Sequence, residues 1–112
     1  MVTLISSGSP PTLEELNRAK EEFGDYVKVV VDLLTGRYSL GGQLHADGEK
    51  MLLENGSKQL DLWGGGVDLL TGGVEANALI NLRSPNGNQE ILDPVIRTSF
   101  INFIKDYFKE YV

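Results

Sequence analysis

The sequence predicts one α+β domain. An antiparallel sheet of four or five strands is packed by N- and C-terminal helices, with a short helix between two hairpins, in the order β-α-β-β-α-β-β-α. Three observations lead there. Helical periodicity occupies the two ends of the chain, while β-branched and alternating segments fill the middle. The hexapeptide Val-Asp-Leu-Leu-Thr-Gly occurs at Val31 to Gly36 and again at Val67 to Gly72, each time where a strand should reverse. A chain of 112 residues is too short to build a second core.

Val2 to Ile5 is apolar and β-branched enough for a short strand, and Ser6 to Pro11 is a linker. Thr12 and Glu15 form a capping box that starts a helix. Leu13, Leu16 and Phe23 share its inner face, Glu14, Arg18, Glu21 and Glu22 its outer one, and Gly24 ends it. Tyr26 to Asp32 is the clearest strand, with Val27, Val29 and Val31 on one side and Lys28, Val30 and Asp32 on the other. That alternation suits a sheet with helices on one face. After the turn at Leu33 to Gly36, Arg37 to Leu44 returns as a second strand, interrupted at Gly41-Gly42 by a bulge or a close approach.

The segment from Asp47 to Gly56 reads as a short helix capped by Asp47 and stopped by Gly56; the alternative is a hairpin turn at Asn55-Gly56. Leu60 to Trp63 starts a third strand, which Gly64-Gly65-Gly66 interrupts and Val67-Asp68-Leu69 resumes. Ala76 to Arg83 is the fourth hairpin strand, with Ala78, Ile80 and Leu82 on one face and Asn81 and Arg83 on the other. The two hexapeptides read as one turn solution reached twice rather than as a duplicated hairpin, because their flanks differ. Ser84 to Asn88 is a polar loop. Asp93-Pro94 supplies the cap and first position of the last helix. Its stripe of Ile96, Phe100, Phe103, Ile104, Tyr107, Phe108 and Tyr111 serves the core first, and a homodimer surface second.

Ten basic residues against sixteen acidic ones give a net charge of −6, which opposes nonspecific nucleic-acid binding. The absence of cysteine excludes disulfides, thiolate metal sites and cysteine nucleophiles. No apolar run has membrane-spanning length, and Met1 to Ser9 has no basic residue, so the expected setting is cytoplasmic, without a membrane partner. Asn55-Gly56-Ser57 matches a glycosylation sequon but is read as turn chemistry.

Gly41-Gly42-Gln43-Leu44-His45-Ala46-Asp47, Leu52-Leu53-Glu54-Asn55-Gly56-Ser57-Lys58-Gln59 and Leu62-Trp63-Gly64 resemble the pattern of a family of small prokaryotic proteins known as a domain of unknown function. The likeness includes Phe23-Gly24-Asp25 and Val27 to Asp32, continues through Ile80-Asn81-Leu82-Arg83 and Gly87-Asn88, and ends at Asp93, Ile96 and Arg97. It departs from the family pattern at Gly65-Gly66, and where Ser84 precedes Pro85. The resemblance implies no activity.

His45 is the sole histidine and stands two residues before Asp47, with Glu49 beyond. In an extended segment His45 and Asp47 project to one face, where Asp47 could orient the imidazole as a general base. Arg83 could hold an anion bidentately. His45, Asp47 and Arg83 are therefore the catalytic candidates. A metal is not expected, since one histidine and two carboxylates within five residues make crowded ligands, and no cofactor motif is present. Trp63 beside three glycines offers a flat apolar surface where a ligand could approach, or a core tryptophan beside a bulge. The ligand-binding candidates are His45, Gln59, Trp63, Asn81 and Arg83. A noncatalytic binding or protein-interaction domain is the preferred reading, and a hydrolase-like enzyme centred on His45 with Asp47 or Glu49 the alternative.

Overall fold

The structure is a computed structural model and describes residues 2–112; Met1 lies outside the described residues. The elements are β1 (Thr3–Ile5), α1 (Leu13–Phe23), β2 (Tyr26–Asp32), β3 (Tyr38–Leu40), α2 (His45–Glu54), β4 (Leu62–Asp68), β5 (Val74–Glu75) and α3 (Pro94–Tyr107). Single 3-10 turns lie at Gln59–Asp61 and Leu79–Asn81. The expected element order is the observed one. All strand pairs are antiparallel, and the sheet runs β1-β3-β2-β4-β5.

The helix ends follow from their sequences. Thr12 N donates to Glu15 Oε1 at 2.8 Å and Glu15 N to Thr12 Oγ1 at 3.1 Å, so the capping box of α1 is closed. At α3, Asp93 Oδ1 accepts from Val95 N at 2.8 Å and Ile96 N at 3.2 Å, with Pro94 at the first position, where its missing N–H costs nothing.

The sheet is covered on both faces, not one. Val27, Val29 and Val31 meet Leu16 and Ala19 of α1, Phe100 and Ile104 of α3, and Phe108 at the end of α3. On the reverse face, Val30 and Leu62 meet Leu52 of α2. Gly48 lets α2 lie close to that face, where an added Cβ would collide with the Ser39 hydroxyl. The C-terminal stripe is used in the core. Phe100, Ile104 and Phe108 are fully buried, each worth roughly 1.5–3 kcal/mol. Tyr38 meets Phe103 and Tyr107 edge-on at 5.3 and 5.5 Å, and those two rings stack at 4.2 Å.

Four expected elements differ. β3 ends at Leu40, because Gly41 and Gly42 take φ of 82° and 89° and turn the chain out of the sheet. The middle helix begins at His45, two residues before the expected cap. Asp47 occupies its first turn and reaches back, its Oδ2 accepting from Leu44 N at 3.1 Å. β4 runs unbroken through its three glycines. The strand expected over Ala76 to Arg83 is replaced by a two-residue β5, an isolated bridge between Asn77 and Glu90, and a 3-10 turn. The apolar alternation in this segment was misleading: Asn81 supplies from a side chain the pairing that a longer strand would make from its backbone.

The two hexapeptides close hairpins of the same register. Val31 pairs with Tyr38 in the first, and Val67 with Val74, the corresponding positions, in the second. The Asp32 and Asp68 carboxylates each accept from the two N–H groups at the tip, Leu34 and Thr35 or Leu70 and Thr71. Gly36 and Gly72 follow with φ of 81° and 79°. Between the hairpins, the pair Tyr26–Asp68 corresponds to Leu62–Asp32, so a local two-fold axis passes through the pair Val29–Gly65. This is the duplicated-hairpin geometry that the sequence reading ranked second; the helices do not follow the symmetry. The first copy carries an added polar knot. Ser57 Oγ donates to Asp32 Oδ2 at 2.6 Å, and Arg37 donates to Ser57 Oγ at 2.9 Å and to the Asn55 carbonyl at 2.6 Å. Burial pushes the Asp32 carboxyl up, but Ser57 and the Thr35 and Leu34 groups outweigh it and hold it below its ordinary value.

The glycines of β4 are filled from both sides by this chain. Ala78 and Ile80 sit where a Gly64 Cβ would be, both at 2.9 Å. At Gly65 the Glu75 carbonyl and the Phe100 ring take the space, and at Gly66 the Tyr26 phenol does. Gly65→Ala is therefore expected to cost about 3 kcal/mol or more, or to prevent folding. Gly87→Ala, with nothing within 4 Å of the new methyl, should stay within about 0.5 kcal/mol of wild type. Chemical denaturation of the two variants checks this; equal stabilities would contradict the packing at Gly65.

Candidate functional site

The first turn of α2 carries the histidine. Its position there follows from Gly41 and Gly42, which swing the chain off β3, and from Leu44, which enters the helix in extended conformation. The imidazole then points at the middle of β4, and His45 Nε2 lies 2.6 Å from the Gly65 carbonyl oxygen. A carbonyl only accepts, so Nε2 carries the proton and the neutral ring keeps its lone pair on Nδ1. Burial dominates the titration of His45 and pushes it below the ordinary imidazole value. The bond to Gly65 opposes that shift, the Lys28 charge adds to it, and Glu75 opposes it.

His45 lines a cleft of about 390 Å³ between the first turn of α2 and the chain from Asn77 to Ile80. Its polar members are Lys28, Gln43, His45, Asn77 and Gln89, and its apolar wall includes Ala78, Leu79 and Ile80. Lys28 projects from β2 with its Nζ 3.8 Å from the Phe23 ring centroid and 5.8 Å from that of Tyr26. The sequence reading missed Lys28, Gln43, Asn77 and Gln89 as site residues. Lys28 left one signal, as the lone cation inside a valine-rich strand.

The other candidates are placed differently. Asp47 is exposed and bonds to Leu44 N, so it does not orient the imidazole. Glu49 lies one turn beyond His45 on the same helix face, with a buried Oε2 that has no hydrogen-bond partner. Arg83 donates to the carbonyls of Gln59, of Leu62 at 2.7 Å and of Leu60 at 3.4 Å. Its guanidinium lies 4.0 Å over the Trp63 ring. Burial pulls its pKa below the ordinary arginine value, while Glu49 and Asp61 oppose this. Arg83 thus fastens the entry of β4, and Gln59 takes part through its backbone carbonyl. Trp63 is buried under that guanidinium and in the core.

Asn81 is fully buried. Its Oδ1 accepts from Gly64 N at 2.9 Å, and its Nδ2 donates to Gly64 O and Gln89 O, both at 2.9 Å. Asn86, which the sequence reading left within a polar loop, organises the next turn. Its Nδ2 donates to the carbonyls of Asn81, Asn88 and Glu90, and its Oδ1 accepts from Leu92 N. Only these multiple backbone partners reveal Asn86, and sequence cannot display them. Among the described residues no group of three His, Asp or Glu side chains is placed to hold a metal ion.

Fold and site define a small three-layer α+β domain with a polar cleft beside a tethered neutral histidine. The chain belongs to the DUF5674 family, described as a protein of unknown function, whose family model matches residues 5–107. Comparisons with curated proteins and with solved structures found no match. Among the described residues no helix is long and apolar enough to cross a membrane.

A histidine depressed in the folded state makes folding pH-dependent. In the unfolded chain it titrates near the ordinary value of about 6.5, so below that pH the unfolded state binds the extra proton. Its contribution to stability is present above that value and is lost as pH falls toward the lower folded pKa. His45→Gln keeps an amide donor for Gly65 but does not titrate. Between about pH 7.5 and 5.5 its unfolding free energy is expected to fall less than that of wild type. Parallel slopes in urea titrations would contradict the assignment.

Proposed function

We propose that this domain is a noncatalytic binding module that holds a small polar ligand in the cleft between the first turn of α2 and Asn77 to Ile80. One observation carries the reading. His45 is anchored through Nε2 to Gly65, which leaves Nδ1 as an acceptor on a residue that lines the cleft, beside the Lys28 cation. A volume of about 390 Å³, a mostly apolar wall and a few polar side chains suit a small molecule. The binding reading has better support than the hydrolase-like one. Of the two carboxylates offered to orient His45, Asp47 serves as a helix-end acceptor and the buried Glu49 Oε2 has no hydrogen-bond partner, while the guanidinium meant to hold an anion is taken up by backbone carbonyls.

The proposal sets the domain in the cytoplasm of a prokaryotic cell. A nucleic-acid partner has little support in a chain of net charge −6. A homodimer through α3 has less support than the cleft, because that aromatic stripe is packed into the core.

Amide NMR of the labelled protein against a set of small polar molecules tests the site. Shifts are expected to cluster at Lys28, Gln43 to Ala46, Asn77 to Ile80 and Gln89, and to weaken by about tenfold in apparent affinity in His45→Gln. Perturbation confined to a second, smaller hollow lined by Trp63, Pro85, Asn86 and Ile96, or an unaltered response in the variant, would overturn it.

A further inference from the structure

Lys28 gives the cleft a preferred charge. Among the described residues no carboxylate lies within ion-pair distance of its ammonium, and its partners are two aromatic rings. Its backbone sits in the central strand β2, so the stem is fixed at its base, and the side chain is half-buried. No Asp or Glu lines the cleft, although the chain as a whole has an excess of six acids. The cleft lining thus carries one cation and no carboxylate, while the Glu75 charge reaches His45 from outside that lining. Opposite signs would be recruited there, and like charge elsewhere on the surface would not hold them. Aromatic faces position an ammonium but leave its donors without acceptors.

The second fixed element is complementary in kind. With Nε2 committed to Gly65, His45 offers a lone pair and no proton at Nδ1, so it selects a donor. We infer that the cleft takes a small organic anion, a carboxylate or phosphate, that also carries a hydroxyl or N–H: the anionic oxygen goes to Lys28 and the donor to His45 Nδ1. The inference rests on the cleft being the binding site, and adds the ligand's chemical class. A cation would meet Lys28 with repulsion, and an anion without a donor would leave the histidine lone pair unmatched in a half-buried place. The apolar wall of Ala78 and Ile80 accommodates a short hydrocarbon portion.

The experiment uses four defined compounds with the whole chain at low ionic strength, followed by amide NMR: lactate, propionate, lactamide and inorganic phosphate. Lactate is expected to bind about tenfold more tightly than propionate, which lacks the hydroxyl, and than lactamide, which lacks the charge. The ratio of lactate to phosphate affinity reports which head group the cleft prefers. Lys28→Met keeps an apolar stem over Phe23 and should remove the advantage of lactate over lactamide. His45→Gln should reduce its advantage over propionate. Both variants are checked for a native amide spectrum, and one that fails it is replaced by Lys28→Gln or His45→Asn. Lactamide binding in the cleft as tightly as lactate would overturn the anion assignment while leaving the site intact. No shift in the cleft with any of the four compounds would overturn both.

Discussion

The structure depends on the pairing of β2 with β4, and in particular on β4 having no side chains at its middle. Val29 faces Gly65 at the centre of a local two-fold, with matching hairpins running out on either side. A central strand buried on both faces is ordinarily filled with large apolar residues. Here the volume comes from neighbours pressing in: Ala78 and Ile80 on one face, Phe100 and the Glu75 carbonyl on the other. That close approach gives good packing density, but it is intolerant, since one methyl group has nowhere to go.

A side-chain-free strand also exposes its backbone to side chains from elsewhere. Gly64 N–H and C=O are both satisfied by Asn81, and the Gly65 carbonyl receives His45. Just before the glycines, Arg83 gathers the carbonyls of Gln59, Leu60 and Leu62. Buried carbonyls need such partners, and a short β5 does not provide them. Asn81, Arg83 and His45 therefore share one physical task, the completion of β4. His45 alone among them retains a ring nitrogen for other use, because imidazole has two and the strand takes one. The cleft is where strand completion leaves something over.

This division explains what was legible in the sequence. Helix ends were readable because caps are local: Thr12 with Glu15, and Asp93 with Pro94, act within one turn. β2 was readable because its valines leave little choice of conformation. The fate of the glycine-rich and alternating segments was not, because it depends on distant partners. Gly64 to Gly66 read as an interruption, yet they form a strand, since Tyr26, Ala78 and Phe100 need the room. Ala76 to Arg83 read as a strand, yet they turn, since Asn81 replaces the ladder. Among site residues, His45 could be singled out by its chemistry and Trp63 and Arg83 by their motif. Their roles could not be read, because a guanidinium on carbonyls and one on a ligand look alike in sequence. Lys28 stood out in sequence as a cation in a valine-rich strand, but its place beside His45 depends on how β2 and the first turn of α2 pack.

The central claim is that His45 is a neutral imidazole tied through Nε2 to Gly65, with Nδ1 left as an acceptor. Long-range proton–nitrogen correlation on the imidazole of the labelled wild-type protein at neutral pH reads this directly. The account predicts the Nε2–H tautomer, with Nδ1 resonating as an unprotonated ring nitrogen. An Nδ1–H tautomer, or the averaged spectrum of a free exposed imidazole, would contradict it.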